Sequence, residues 1–196
     1  MAKDFRNIAL SFLLLVTPLI SGCSQLSNSF YSRSFKLEQQ GDIKGALSNI
    51  NYAILLNPEN IDLYHERMFL TFDKINQKEL SDKDIKHIKI ALKDANKISE
   101  LDPNACSHYH LKSVLKSFLG DNKGAIKDIN LSIETRPCLN KDPVIINRGY
   151  ALDYGMRAYF KSQLGDMAGA CKDSKKAAEL TKNDMDWTNE VINYCE

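Results

Sequence analysis

The sequence predicts an all-α protein, a right-handed solenoid of about four stacked helix hairpins followed by a C-terminal capping helix. The motif Gly-Asp-x-x-Gly-Ala occurs three times, beginning at residues 41, 120 and 165. A proline follows the alanine of the first two copies after twelve residues. In the first copy, Ala46, Ile50 and Ala53 form an apolar stripe at helical spacing. A fixed internal pattern of this kind indicates a repeated structural unit.

The N-terminal segment precedes the repeats and resembles a bacterial lipoprotein signal. Lys3 and Arg6 are followed by an apolar run over residues 8–20, which is shorter than the roughly 20 residues that a spanning helix needs. The sequence Ile-Ser-Gly-Cys then ends at Cys23 and resembles a lipobox. The alternative is an ordinary signal peptide with a chance cysteine. We expect a signal peptide over residues 1–22, then lipidated Cys23 and a short tether up to residue 29.

Charge gives no reason to expect a nucleic-acid partner. The chain has 26 Lys and Arg and 25 Asp and Glu residues, and residues 1–22 contain two of the basic and one of the acidic ones. The processed chain would therefore be neutral and would be held at the membrane by its lipid. By resemblance to enteric lipoproteins, Ser24 after the cysteine favours the outer membrane, facing the periplasm.

Each repeated unit has the local signals of two antiparallel helices. Gly41 suits the left-handed end of a first helix, and Asp42 can cap the second. Pro58 ends that second helix, because the residue before a proline resists α geometry. One hairpin cannot bury its apolar face alone, so the hairpins are expected to stack.

The remaining repeats follow from a fourth anchor, Ala91, with Pro103 twelve residues on. Ser81 predicts a long second helix that starts near residue 82, and Asp142 with Pro143 predicts the start of another long helix. The predicted repeat domain covers residues 30–196. Its repeats cover about 30–60, 61–105, 106–139 and 143–182, and a capping helix covers about 185–195.

These features resemble the tetratricopeptide repeat (TPR) family, whose period is 34 residues. The resemblance rests on the small residues of the second helices and on the prolines, and the usual glycine of the first helix is replaced. The small residues are Ala46, Ala91, Ala125 and Ala170. The family implies a protein-binding scaffold whose first helices line a concave groove.

No motif of catalysis or cofactor binding is present, so we expect neither an enzyme nor a cofactor. The four histidines form no i, i+4 pair, and no Gly-rich phosphate loop or Cys-x-x-Cys occurs. We therefore expect no metal site. One recurring polar pattern places a cation on each first helix and an acid or an amide on each second helix. The cations are Arg33, Arg67, Lys112 and Arg157, and their counterparts are Asn49, Asp94, Asp128 and Asp173. We favour ion pairs within repeats over an ionic-ligand site.

Apart from Cys23, four cysteines remain for an oxidising compartment, and they allow three pairings. In the expected fold the helix ends that carry Cys106 and Cys138 meet, and so do those that carry Cys171 and Cys195. Two disulfides are therefore predicted. The alternative for Cys171 and Cys195 is that they are small core residues.

The resemblance predicts a partner-binding groove of apolar and aromatic residues on the first helices. The predicted groove residues are Tyr31, Phe35, His65, Phe69, Phe72, His110, Val114, Phe118 and Tyr159. The expected function is a lipid-anchored envelope scaffold or adaptor that binds another protein. A self-associating structural protein, for instance a homodimer, and an assembly factor for a pilus or secretion machine are the alternatives.

Overall fold

A computed structural model describes residues 22–72, 80–102, 108–136, 142–181 and 188–195, and every regular element within these ranges is an α-helix. The chain divides into two compact units, unit 1 (Met1–Asp73) and unit 2 (Lys74–Glu196). Unit 1 contains α1 (residues 22–39), α2 (Ile43–Leu56) and α3 (Ile61–Phe72). Unit 2 contains α4 (Asp82–Leu101), α5 (His108–Phe118), α6 (Asn122–Thr135), α7 (Pro143–Ser162), α8 (Met167–Thr181) and α9 (Thr188–Cys195).

The repeated motif forms the turn between the two helices of a hairpin. Its first glycine is left-handed in all three copies, with φ of 78°, 80° and 81°. In the first copy, the Asp42 carboxylate caps the next helix by accepting from the Gly45 backbone N–H at 2.9 Å. A Cβ at Gly45 would collide with that carboxylate, which explains why the motif needs its second glycine. The motif is therefore a local device that ends one helix and begins the next.

Serine and alanine residues let α1 and α2 approach closely. Ser34 Oγ donates to the Ala46 carbonyl oxygen at 2.9 Å, and Ser27 Oγ donates to the Ala53 carbonyl oxygen at the same distance. Both alanines are fully buried. They pack with Ile50, and this cluster forms the core of unit 1 together with apolar residues of α3.

In unit 2 each helix packs against the next one along the chain, from α4 to α9. The long helices begin where the sequence predicts: Ser81 forms a capping box with Asp84 before α4, and Asp142 caps α7 with Pro143 in its first turn. A buried cluster of Ala125, Ile129 and Phe160 holds α6 against α7.

The expected tether is not extended. Residues 24–29 lie in the first turns of α1, and Ser27 is fully buried through its bond to α2. The first helix therefore begins earlier than residue 30, at the predicted cleavage point. Within the described ranges, no helix is both long and apolar enough to cross a membrane.

Candidate functional site

The first helices of unit 1 present aromatic and acidic side chains together. On α1 these residues recur at intervals of four and three, and on α3 they recur in the same way. We call this set the aromatic–acidic face, and it comprises Tyr31, Phe35 and Glu38 on α1 and Asp62, Glu66 and Phe69 on α3. The two stripes lie close enough to interact. Burial raises the pKa of Tyr31 on α1, and the charges of Glu66 and Asp62 on α3 raise it further.

Two predicted groove residues of this face have exposed side chains. The exposed fraction is 54% for Phe35 and 58% for Phe69. Tyr31 is half-buried and packs against the core of unit 1, while His65 and Phe72 are also half-buried. Unit 1 therefore exposes two phenylalanine rings on a base of partly buried residues.

The sequence reading missed Glu66, which lies one turn from Phe69 on the same helix. Its Oε1 atom is buried, and no described residue donates a hydrogen bond to it. Burial raises the pKa of Glu66, and the charge of Glu38 raises it further. A carboxylate oxygen that is withdrawn from water without a donor costs folding free energy, and a nearby cation would offset that cost. The only sequence signal was the spacing of Glu66 from Asp62 and Phe69.

In unit 2 most of the predicted groove residues are half-buried or hydrogen-bonded, so they are less accessible to a partner. The imidazole of His110 donates through Nδ1 to Asp153 Oδ1 at 2.7 Å. Val114 and Phe118 are half-buried, and Tyr159 is exposed with its ring edge against Phe160. His110 is thus already engaged inside the repeat stack.

Asp153 organises a buried polar network that the sequence did not predict. It is fully buried and accepts from Ser132 Oγ at 2.9 Å, from Arg136 Nε at 2.8 Å and from His110. Arg136 Nη2 also donates to the same carboxylate. The network joins α5, α6 and α7, and its partners are far apart in sequence.

In the third and fourth repeats, the recurring cation–acid pattern forms ion pairs within the repeat, as predicted. Arg157 donates to both oxygens of Asp173 at 2.7 and 2.8 Å, and Lys161 Nζ lies 2.7 Å from Asp173 Oδ2. Burial alone would raise the pKa of Asp173, but the hydrogen bonds from Arg157 and Lys161 outweigh it and hold the pKa below its usual range. In the third repeat, Asp128 lies 2.6 Å from Lys116 Nζ and 4.0 Å from Lys112 Nζ.

Arg157 also reaches the preceding repeat, where Nη1 donates to Asn130 Oδ1 at 2.7 Å. Arg67 does the same in unit 1, since its Nη1 donates to Asn51 Oδ1 at 2.6 Å. These arginines therefore help to set the stacking of consecutive hairpins. A cavity of about 510 Å³ beside Arg157 is lined by several lysines, but Arg157 is paired with Asp173 and Lys176 with Glu179.

The cysteines divide into three groups. Cys171 and Cys195 form a disulfide that joins α9 to α8, with their Cα atoms 4.9 Å apart. Cys23 is exposed in the first turn of α1 with a free thiol. The predicted pair Cys106 and Cys138 lies outside the described residues. Across the part of the chain that the structure describes, no cluster of three or more His, Cys, Asp or Glu residues could hold a metal ion.

No protein-family description and no curated protein matches this sequence. Several solved structures do match. A MamA crystal structure is 14% identical, with a TM-score of 0.68 over 87% of this chain and 81% of that chain. A MamA structure from Desulfovibrio magneticus RS-1 is 11% identical, with a TM-score of 0.66 over 86% of this chain and 82% of that chain. TTC0263, a thermophilic TPR protein of Thermus thermophilus, is 14% identical, with a TM-score of 0.53 over 86% of this chain and 81% of that chain.

At these identities the likeness concerns the fold alone. It confirms the predicted fold class, an all-α solenoid of TPR-type helix hairpins with a closing C-terminal helix. Folds of this class host many functions, so the function has to be argued from the residues of this chain.

Proposed function

We propose that the protein is a lipid-anchored scaffold of the bacterial cell envelope that binds another protein through the aromatic–acidic face of unit 1. The lipobox-like sequence ending at Cys23 supports the anchor, and Ser24 after it supports a location at the outer membrane, facing the periplasm. The repeat fold supports a binding role, because stacked hairpins build extended surfaces. The proposed role requires no catalytic group and no cofactor.

The observation that carries this proposal is the combination of Glu66 with the exposed rings of Phe35 and Phe69. Exposed aromatic side chains mark interaction sites, and aromatic anchors tend to contribute most of the binding free energy. Beside them, the Glu66 carboxylate has a raised pKa and a buried oxygen that has no donor among the described residues. A partner that supplies a cation there would relieve this desolvation cost.

The chemistry of the partner segment follows from this arrangement. It should carry an apolar side chain for the phenylalanine rings and a lysine or arginine for Glu66. Asp62 and Glu38 add negative charge to the same face, so an acidic segment would be repelled. An extended or helical basic–apolar segment of an envelope protein fits these requirements.

A photocrosslinking experiment tests the proposal in cells. Phe69 is replaced by the photoreactive analogue benzoylphenylalanine in the full chain, and adducts are identified by mass spectrometry. We expect one defined protein adduct, which Glu66→Lys abolishes because it reverses the charge beside the crosslinker. Glu59→Lys is the matched control, since it makes the same charge change at an exposed residue of unit 1 outside the face.

Three outcomes would oppose the proposal. An adduct that survives Glu66→Lys would show that the carboxylate has no part in binding. An adduct at twice the mass of the chain would identify a second copy as the occupant and favour a self-associating protein. The absence of any adduct at Phe69 would remove the face as a binding site.

The anchor is tested separately through Cys23→Ala. This change should release the protein from the membrane fraction or leave it unprocessed. A variant that remains with membranes at the processed size would show that Cys23 is not the anchor.

A further inference from the structure

We infer that the end of the α1–α2 hairpin next to Cys23 rests on the lipid bilayer, with Leu26, Tyr52 and Leu55 in contact with lipid. This inference rests on the proposed lipidation of Cys23 and extends it from a point of attachment to a docked surface. We call these three residues the apolar end patch.

The patch is one continuous surface beside the anchor. The hydrogen bonds from Ser27 to Ala53 and from Ser34 to Ala46 fix the antiparallel register of the two helices. Cys23 precedes Ser27 by four residues, and Asn57 follows Ala53 by four residues. The start of α1 therefore lies beside the end of α2, where Leu55 is located.

Side-chain contacts connect the two helices across the patch. Leu26 and Phe30 are four residues apart on α1, and Tyr52 and Leu55 are three apart on α2, so each pair shares a helix face. The rings of Phe30 and Tyr52 lie 5.3 Å apart and join the two pairs. The exposed fractions are 51% for Leu26, 53% for Tyr52 and 75% for Leu55.

The two helical segments at this end of the hairpin carry no charge, and the exposed Glu59 directly follows the second of them. None of residues 22–32 on α1 and 45–58 around α2 is charged, whereas 26% of the whole chain is. Charged side chains resist transfer to the membrane interior, while leucine and tyrosine suit its interface. Uncharged segments with exposed leucine and tyrosine side chains are therefore suited to contact with lipid.

No flexible segment between Cys23 and the rest of α1 holds this patch away from the membrane. Residues 24–29 are helical, and Ser27 fixes them to α2, so acyl chains on Cys23 would begin at the first turn of a packed helix. Leu26 lies about 4.5 Å further along that helix at 1.5 Å per residue. Interfacial apolar faces enter a bilayer by about 5–10 Å, so Leu26 is close enough to the acylated residue for its side chain to reach that layer.

Depth-dependent quenching of tryptophan fluorescence tests the inference on the acylated full chain in phosphatidylcholine vesicles that contain doxyl-labelled lipid. The single native tryptophan, Trp187, is replaced by phenylalanine. Tryptophan then replaces Leu55 or Tyr52, with Lys44→Trp as the matched control. Lys44 is exposed near the other end of α2, eleven residues or about 16 Å from Leu55 and close to the same face.

We expect the doxyl lipid to quench tryptophan at positions 52 and 55 and to leave the emission at position 44 unchanged. The intact mass of each variant shows whether Cys23 is acylated, so a missing lipid anchor can be distinguished from a missing docked surface. An acylated protein whose position 55 is not quenched overturns the docked surface while the lipid anchor stands. A protein that carries no lipid overturns both.

Two further outcomes would also overturn the inference. Equal quenching at positions 44 and 55 would show that the whole hairpin is immersed. A blue-shifted emission at position 55 without quenching would show that a protein surface, such as a second copy, covers the patch. If Trp187→Phe impairs folding, the same substitutions are made with Trp187 retained, and the quenching of the parent is subtracted.

Discussion

Replacing Asp153 with alanine should destabilise the packing of the last two hairpins more than any surface change. The carboxylate is fully buried and accepts hydrogen bonds from Ser132, Arg136 and His110. Asp153→Ala leaves the guanidinium of Arg136, whose side chain is only 13% exposed, without its carboxylate. Removing one partner of a buried ion pair typically costs about 3–5 kcal/mol. Domains of this kind unfold with about 5–15 kcal/mol, so the loss is a large fraction of the total.

Urea unfolding, followed by far-UV circular dichroism on a Cys23→Ala chain that lacks residues 1–22, measures this cost. The matched control is Asp121→Ala, which removes an exposed helix cap and should cost about 1 kcal/mol. If Asp153→Ala costs no more than Asp121→Ala, the network does not hold the hairpins together. Replacing both Asp153 and Arg136 with leucine should cost less than Asp153→Ala alone, because no buried charge is then left unpaired.

The remaining predictions concern the binding face, the core and the disulfide. Glu66→Gln should raise the melting temperature at pH 7, because the raised pKa of Glu66 in the folded state means that its ionisation opposes folding. The gain in melting temperature should vanish below about pH 4.3, where the carboxyl group is protonated in the unfolded state as well. A gain that is independent of pH would contradict this reasoning. In urea unfolding, Phe160→Ala should cost about 3–5 kcal/mol, because Phe160 is fully buried. Phe69→Ala should cost about 0.5 kcal/mol, because Phe69 is 58% exposed. Equal costs for the two substitutions would show that Phe69 belongs to the core. Opening the bridge between Cys171 and Cys195 by serine substitution should cost roughly 3–4 kcal/mol by the loop-entropy account. An unchanged urea midpoint would argue against the bridge.

The hairpins could be predicted because their signals are local. Gly41, Asp42 and Gly45 act on each other within five residues, so the motif specifies a turn whatever surrounds it. The capping residues before α4 and α7 act over a similar range. The ion pairs between first and second helices could also be predicted, because the repeat fixes the spacing of their partners.

The start of α1 could not be predicted, because a tertiary contact determines it. Residues 24–29 are rich in serine and asparagine, which are weak helix formers. They are helical in the structure, where Ser27 donates to Ala53, 26 residues away. For the same reason Asp153 was missed, since its partner His110 is 43 residues distant.

The acids of the two units differ in their pairing, and this difference supports the proposed binding site in unit 1. In unit 2 the second-helix carboxylates of Asp128 and Asp173 lie within 2.7 Å of lysine Nζ atoms. In the first repeat the equivalent position is Asn49, whose amide donates to the Gly45 carbonyl oxygen of its own helix. In unit 1 an acid without such a pair, Glu66, lies instead on the aromatic–acidic face, where one of its oxygens has no described donor. A basic–apolar partner would supply there the cation that the lysines supply within unit 2.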